Sequence, residues 1–187
     1  LSALGVEFKD QNNNKCGIFG RDLFNIKNIS TDNVLKELKE CNFRAACDVT
    51  NPLCGDNGAS AVFGPQKGAD EKMVKDLDSA LLNFSRICKN AVNKDCANTP
   101  GAGAAGGLGY ALMAFLNAKL EPGIDIVLSL LKIEEEIKTA DIVITGEGRL
   151  DFQTVMGKAP GGVAKMAKKY DLPVIAFSGS IGKGAEK

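Results

Sequence analysis

Ile142, Val143, Ile144 and Thr145 form a short β-branched run, the pattern of a strand covered on both faces, and the residues after it complete one folding unit. The run leads into Gly146-Glu147-Gly148-Arg149-Leu150-Asp151, which by composition reads as a flexible charged loop. A helical stretch follows over residues 161–170. Pro173 then precedes a second apolar run, residues 174–177, closed by Ser178-Gly179-Ser180. Strand, loop, helix and strand in this order predict a right-handed βαβ unit, with both glycine loops at the carboxyl ends of parallel strands. Ligands bind at that edge of open α/β sheets, so Glu147, Arg149 and Asp151 are candidate site residues by position as well as by charge. A self-satisfied surface ion network is the alternative reading of the same trio.

The 187 residues can bury a sizeable core as one large or two small domains. Their 23 basic and 23 acidic residues cancel, so no overall field recommends nucleic acid or an anionic membrane as a partner. No apolar run approaches the roughly 20 residues of a membrane span, and the start shows no signal-peptide pattern. A cytoplasmic location is expected. Residues 1–5 read like the end of a helix and the last residues stop just past a strand-end loop, so a fragment of a longer chain is expected. Six cysteines with irregular spacing and no C-x-x-C pair predict free thiols, with Cys54, in a polar loop, as the exposed one. Histidine is absent. That removes imidazole-based triads, phosphohistidine chemistry and most zinc sites, and leaves carboxylates, lysines or water to move protons.

Upstream, residues 6–8, 26–29 and 43–49 read as strands, and Thr31-Asp32 as the cap of a helix running to about residue 40. Asp70 caps an amphipathic helix to about residue 93, with Met73, Val74, Leu77, Leu81, Phe84, Ile87 and Cys88 on its core face. Residues 104–120 read as one helix, broken by Pro122-Gly123, and residues 124–137 as one or two short helices. The expected domain boundary lies near residues 138–140, where irregular α+β content gives way to the βαβ unit.

Gly101-Ala102-Gly103-Ala104-Ala105-Gly106 matches G-x-G-x-x-G, yet a loop ending in Pro100 precedes it where a dinucleotide fingerprint needs a strand. A closely packed helix start therefore outweighs an NAD-type oxidoreductase, although glycine amides there still offer an anion site. Gly157-Lys158 resembles the tail of a P-loop, but too many residues separate it from Gly148, and Ala159 stands where Ser or Thr should hold magnesium. Lys158 is left as either a phosphate-neutralising charge or a solvated lysine. Asp48 ends a predicted strand, and the glycine-rich residues 55–68 expose Asn57, Gln66 and Lys67. Loops of that length are usually functional, while an Asx-turn is the plain alternative for Asp48.

Four stretches, CDVTNPLCGDNGASAVFGPQKGA, PGAGAAGGLGYALMAFL with the following LEPGIDIVL, DIVITGEGRLDFQTVMGKAPGGVA and PVIAFSGSIG, resemble the glycerate kinase family of the bacterial two-domain type. With the opening ALGVEF they span essentially the whole chain. The resemblance implies transfer of the ATP γ-phosphoryl group to a hydroxyl of D-glycerate, with Mg2+. It implies an α/β fold: a Rossmann-like parallel βαβ part, residues 139–187, and a second, irregular α/β domain, residues 1–138, both incomplete, with the substrates in the cleft between them. Family members also carry an opening strand and a glycine-serine-threonine-asparagine-aspartate motif ahead of the point where this chain starts. The remainder of the same kinase chain is thus the expected partner, and the fragment alone is expected to be inactive.

Phosphoryl transfer needs aligned reactants, cations on the transferring group and a carboxylate at the acceptor hydroxyl. On that reading Asp151 and Asp48 take the base and magnesium-side roles, in either order. Arg149, Lys67 and Lys158 grip the glycerate carboxylate or the phosphates. The amides of Gly146, Gly148, Gly106 and Gly107 cradle phosphate oxygens, and Glu147, Asn51 and Gln66 add substrate contacts. A non-catalytic module holding a small carboxylate or a nucleotide is the alternative.

Overall fold

The Asp70 carboxylate accepts a 2.8 Å hydrogen bond from the Met73 amide, and from that cap a 22-residue helix, Glu71–Val92, runs to an Asn93 in the left-handed region. This helix organises the first of two compact units, Leu1–Leu120 and Glu121–Lys187. The structure, a computed structural model, describes residues 1–151, 154 and 158–184. Among them no helix is long and apolar enough to cross a membrane.

In the first unit, β1 (Glu7–Lys9) pairs antiparallel with β2 (Asn28–Ser30), Phe8 opposite Ile29. β3 (Arg44–Ala46) pairs with β4 (Lys119–Glu121). Helices α1 (Ala59–Phe63), α2 (Glu71–Val92) and α3 (Leu108–Leu116) complete it. The apolar face of α2 buries Leu81, Phe84 and Cys88, as its periodicity predicts, and Phe84 packs with Phe8 at 5.9 Å and Tyr110 at 6.2 Å between ring centroids. Met73 departs from that pattern: it is 53% exposed. All six cysteines are free. The exposed one is Cys41, not Cys54, whose thiol is pushed up to about 11 by burial and by the nearby Asp78 charge.

Two expected helices are reshaped. Over residues 31–40 a turn closed by the Val34 amide on the Thr31 carbonyl is followed by a 3-10 turn, Lys36–Glu40, because the Leu35 amide donates to the Leu4 carbonyl and not to a helical partner. Residues 104–120 split into a 3-10 turn, α3 and a strand. Ala105 and Gly107 take positive φ at one end, Asn117 takes φ 53° at the other, and the Lys119 amide then bonds the Phe43 carbonyl.

In the second unit, β5 (Val143–Leu150) and β6 (Val174–Ile181) run parallel, in register from Val143 opposite Val174 to Leu150 opposite Ile181. Helix α6 (Ala159–Lys168) connects them and covers one face, burying Val143 and Ala167. The short helices α4 (Gly123–Leu130) and α5 (Ile133–Ile137) also pack on α6, and a Cβ on Gly162 would come within 2.5 Å of Ile124. The compact units therefore part after Leu120, ahead of the composition change near residues 138–140. The sequence predicts cover on both faces of these strands. Here the face away from α6 leaves Ile144 62%, Phe177 65% and Ile181 78% exposed.

Candidate functional site

The charged segment expected as a flexible loop is strand. Gly146, Glu147, Gly148 and Arg149 lie inside β5, where pairing with β6 satisfies main-chain groups that a glycine-rich sequence would otherwise leave to solvent. Gly146 and Gly148 are thus ladder residues and not a phosphate-cradling loop. A Cβ on Gly146 would stand 2.7 Å from the Phe177 carbonyl oxygen, so the strands approach closely there. Alternation along the strand puts Glu147 and Arg149 on one face, and Asp151 follows one residue past the strand's carboxyl end.

Asp151 is only 16% exposed and lies between two cations, Arg149 Nε on one oxygen and Lys158 Nζ on the other, each at 3.8 Å. At that separation the contacts are ion pairs and not hydrogen bonds, so the N–H groups of both cations stay available to a further anion. Thr154 ties the Glu147 carboxylate to the main chain of Asp151. Its hydroxyl donates to Glu147 Oε1 and accepts from the Asp151 amide at 3.2 Å, while its own amide donates to the Asp151 carbonyl at 2.9 Å. Asp151, Thr154, Thr145 and Pro160 line a hollow of about 190 Å³ at this end of the sheet. The chain leaving β6 closes over it: the Gly182 amide bonds the Leu150 carbonyl at 2.7 Å, and a Cβ on Gly182 would lie 2.9 Å from both Arg149 Nε and Asp151 Cβ. Structure thus brings Glu147, Arg149, Asp151 and Lys158 together. Gly157 lies outside the described residues.

The remaining candidates belong to the first unit. Asp48 is exposed just past β3. Asn51 is engaged in folding the loop: its side-chain amide donates to the Asn57 carbonyl and its own carbonyl accepts from the Gly103 amide, both at 2.9 Å. Gln66, Lys67 and Gly106 sit together on the wall of a larger hollow of about 980 Å³. Gly107, the N-cap of α3, is half-buried at φ 103°. The element directly before the glycine run 101–106 is helix α2, followed by a loop, and not a strand. Its small residues are needed for contact: a Cβ on Gly103 would meet the Pro52 carbonyl oxygen at 2.2 Å, and one on Gly109 the Gly101 carbonyl oxygen at 2.1 Å.

Sequence reasoning passed over Thr154, Ser178 and Gly182. Ser178 accepts from the Leu150 and Ser180 amides, each at 3.2 Å, and so joins the ends of β5 and β6. The only local signal was the polar residues themselves, since each acts through a partner many positions away or around a turn.

The family model of the glycerate kinase family matches residues 1–187. The chain belongs to the glycerate kinase family. It is 51% identical over 181 residues to the Glycerate 2-kinase of Escherichia coli (strain K12), a match covering 97% of this chain and 48% of that protein. It is 48% identical over 184 residues to the Glycerate kinase of Halalkalibacterium halodurans, covering 98% and 48% respectively. A crystal structure of a protein provisionally designated glycerate kinase 2, from Salmonella typhimurium LT2, superposes with a TM-score of 0.88 at 43% identity, covering 97% of this chain and 51% of that one. The chain spans about half the length of the curated relatives it matches. The mixed α/β fold with its parallel β5–β6 pair is thus a glycerate kinase fold in part.

Proposed function

We propose that this chain carries part of an ATP-dependent glycerate kinase, in which D-glycerate gains the γ-phosphoryl group. The observation that carries the reading is Asp151, at the carboxyl end of a parallel strand, lining a hollow with Arg149 and Lys158 beside it, in a chain of the glycerate kinase family. In this reading Asp151 orients the acceptor hydroxyl and takes its proton, while Arg149 and Lys158 offset charge on the substrate carboxylate or the transferring group. Thr154 holds the Glu147 carboxylate and the Asp151 main chain. Gln66, Lys67 and Gly106, on the wall of the first unit's hollow, are that unit's own candidates for substrate contact. Free thiols at all six cysteines fit a reducing, cytoplasmic setting.

Magnesium bound with ATP takes one or two protein carboxylates and leaves its other positions to phosphates and water. That demand suits a chain in which no group of three His, Cys, Asp or Glu able to hold a metal occurs among the described residues. Two cations already beside Asp151 disfavour a divalent ion at the same carboxylate. We therefore give the metal-side role to Asp48 and the base role to Asp151. The ion, when bound, shields the phosphate charge against which the acceptor must approach.

The name of the Escherichia coli relative, Glycerate 2-kinase, favours the 2-hydroxyl as acceptor. The test is to incubate the intact protein with ATP, magnesium and D-glycerate and to read the product by phosphorus NMR. A phosphate split by one proton marks the secondary 2-position, and splitting by two marks the primary 3-position. No ADP formation above the glycerate-free control would refute the kinase reading.

A further inference from the structure

We infer that the larger hollow of the Leu1–Leu120 unit takes the adenine nucleoside of the phosphoryl donor, and not the hydroxy acid. The inference rests on the kinase reading and assigns one of its two substrates to a place. At about 980 Å³ the hollow lies at the upper end of the roughly 300–1,000 Å³ typical of small-molecule sites. Glycerate, three carbons carrying one carboxylate and two hydroxyls, would leave it mostly water-filled.

Wall chemistry points the same way. Leu23 and Phe24 come from the 3-10 turn Gly20–Asn25, Phe63 from α1, and Met73 and Leu77 from α2. Against such walls the carboxylate and hydroxyls of glycerate would lose water without gaining partners. A purine has two apolar faces that stack on Phe rings and meet a Met sulfur, and its polar edge needs only a few groups. Gln66, on the same wall, offers both a donor and an acceptor. Phe24 and Met73 stand 44% and 53% exposed, so a flat ring between them would remove apolar surface that now meets water.

Charge fits the rest of a nucleotide. Arg21 and Lys67 also line the hollow, and neither makes an ion pair with any described residue. Arg21 lies 5.2 Å from the Phe19 ring centroid, which holds the guanidinium in place without neutralising it. Two unneutralised cations beside an apolar slot match a ligand with an apolar head and an anionic tail. Asp76 supplies an acceptor for ribose hydroxyls.

The test is calorimetric titration of the intact protein with ADP and, separately, with adenosine. Phe24→Ala should weaken both ligands by about tenfold or more. Arg21→Gln and Lys67→Gln should weaken ADP by a similar factor and leave adenosine unchanged. In the assay the same variants should raise the KM for ATP and leave that for glycerate within about twofold. The three positions are on exposed or half-exposed turns, and an unchanged circular dichroism spectrum checks the fold. Wild-type ADP affinity in all three variants overturns the assignment even if the enzyme phosphorylates glycerate; that would also be the result if another segment of the intact protein filled the hollow. A raised KM for glycerate alone overturns it too. Weakened ADP binding in an enzyme that makes no phosphoglycerate would uphold the pocket and refute the kinase reading.

Discussion

The two compact units solve the problem of covering apolar surface in opposite ways. The first wraps a three-ring cluster, Phe8, Phe84 and Tyr110, inside α2, α3 and short strands, and leaves Leu53, Cys88 and Tyr110 with almost no exposure. The second lays α6 over one face of two parallel strands and leaves Ile144, Phe177 and Ile181 in water on the other. Apolar side chains of equal size therefore carry unequal weight. A β-branched run tells that a strand exists and says nothing about which of its faces is covered.

Substitutions can break or sharpen that contrast. Leu53→Ala should have the largest effect, about 2–5 kcal/mol, because its site is fully enclosed and pinned by bonds from the Leu53 amide to the Ala97 carbonyl and from the Ala59 amide to the Leu53 carbonyl. Urea unfolding checks it, and a loss below about 1 kcal/mol would mean the first unit is far looser than its packing. Tyr110→Phe removes a buried hydroxyl that donates to the Ser85 carbonyl at 3.2 Å and should cost about 0.5–1.5 kcal/mol. Among these 187 residues the variant leaves Tyr170, in the second unit, as the one tyrosine. Phe177→Ala, a larger truncation than Leu53→Ala, should move stability by no more than about 0.5 kcal/mol. A cost matching that of Leu53→Ala would show the exposed face to be covered in solution.

The smallest effect concerns pH. Tyr170 donates to Glu134 Oε1 at 2.8 Å, and this bond, followed by the Lys169 charge, holds the Glu134 carboxyl below its usual range. A lowered folded value means the contribution is complete above the unfolded value and is lost as pH falls through the folded one. Tyr170→Phe should therefore lower the second unit's stability slightly at neutral pH, with the difference from wild type vanishing as pH falls through the folded value, so that the acid limb flattens. An acid limb identical to wild type would remove the bond from the account.

What the sequence made legible was local. Asp70 and the spacing of Leu81, Phe84 and Cys88 specify α2 within a few residues, and the order strand, helix, strand specifies the parallel pair. What it hid depends on partners far along the chain. Residues 146–150 look like loop until β6 runs beside them, residues 31–35 look helical until Leu35 bonds Leu4, and residues 117–120 look helical until Lys119 meets Phe43. The site divides the same way. Glu147, Arg149 and Asp151 stand out by charge and spacing, whereas Thr154 and Gly182 matter through the closure of the strand ends around them.

The most direct test of the account is the turnover of the intact protein carrying Asp151→Asn, with ATP and D-glycerate both saturating. The account predicts kcat lowered by about 10²-fold or more, since the acceptor hydroxyl would lose the carboxylate that takes its proton. A variant turning over at the wild-type rate would contradict it and leave the hollow at the end of β5 without a catalytic role.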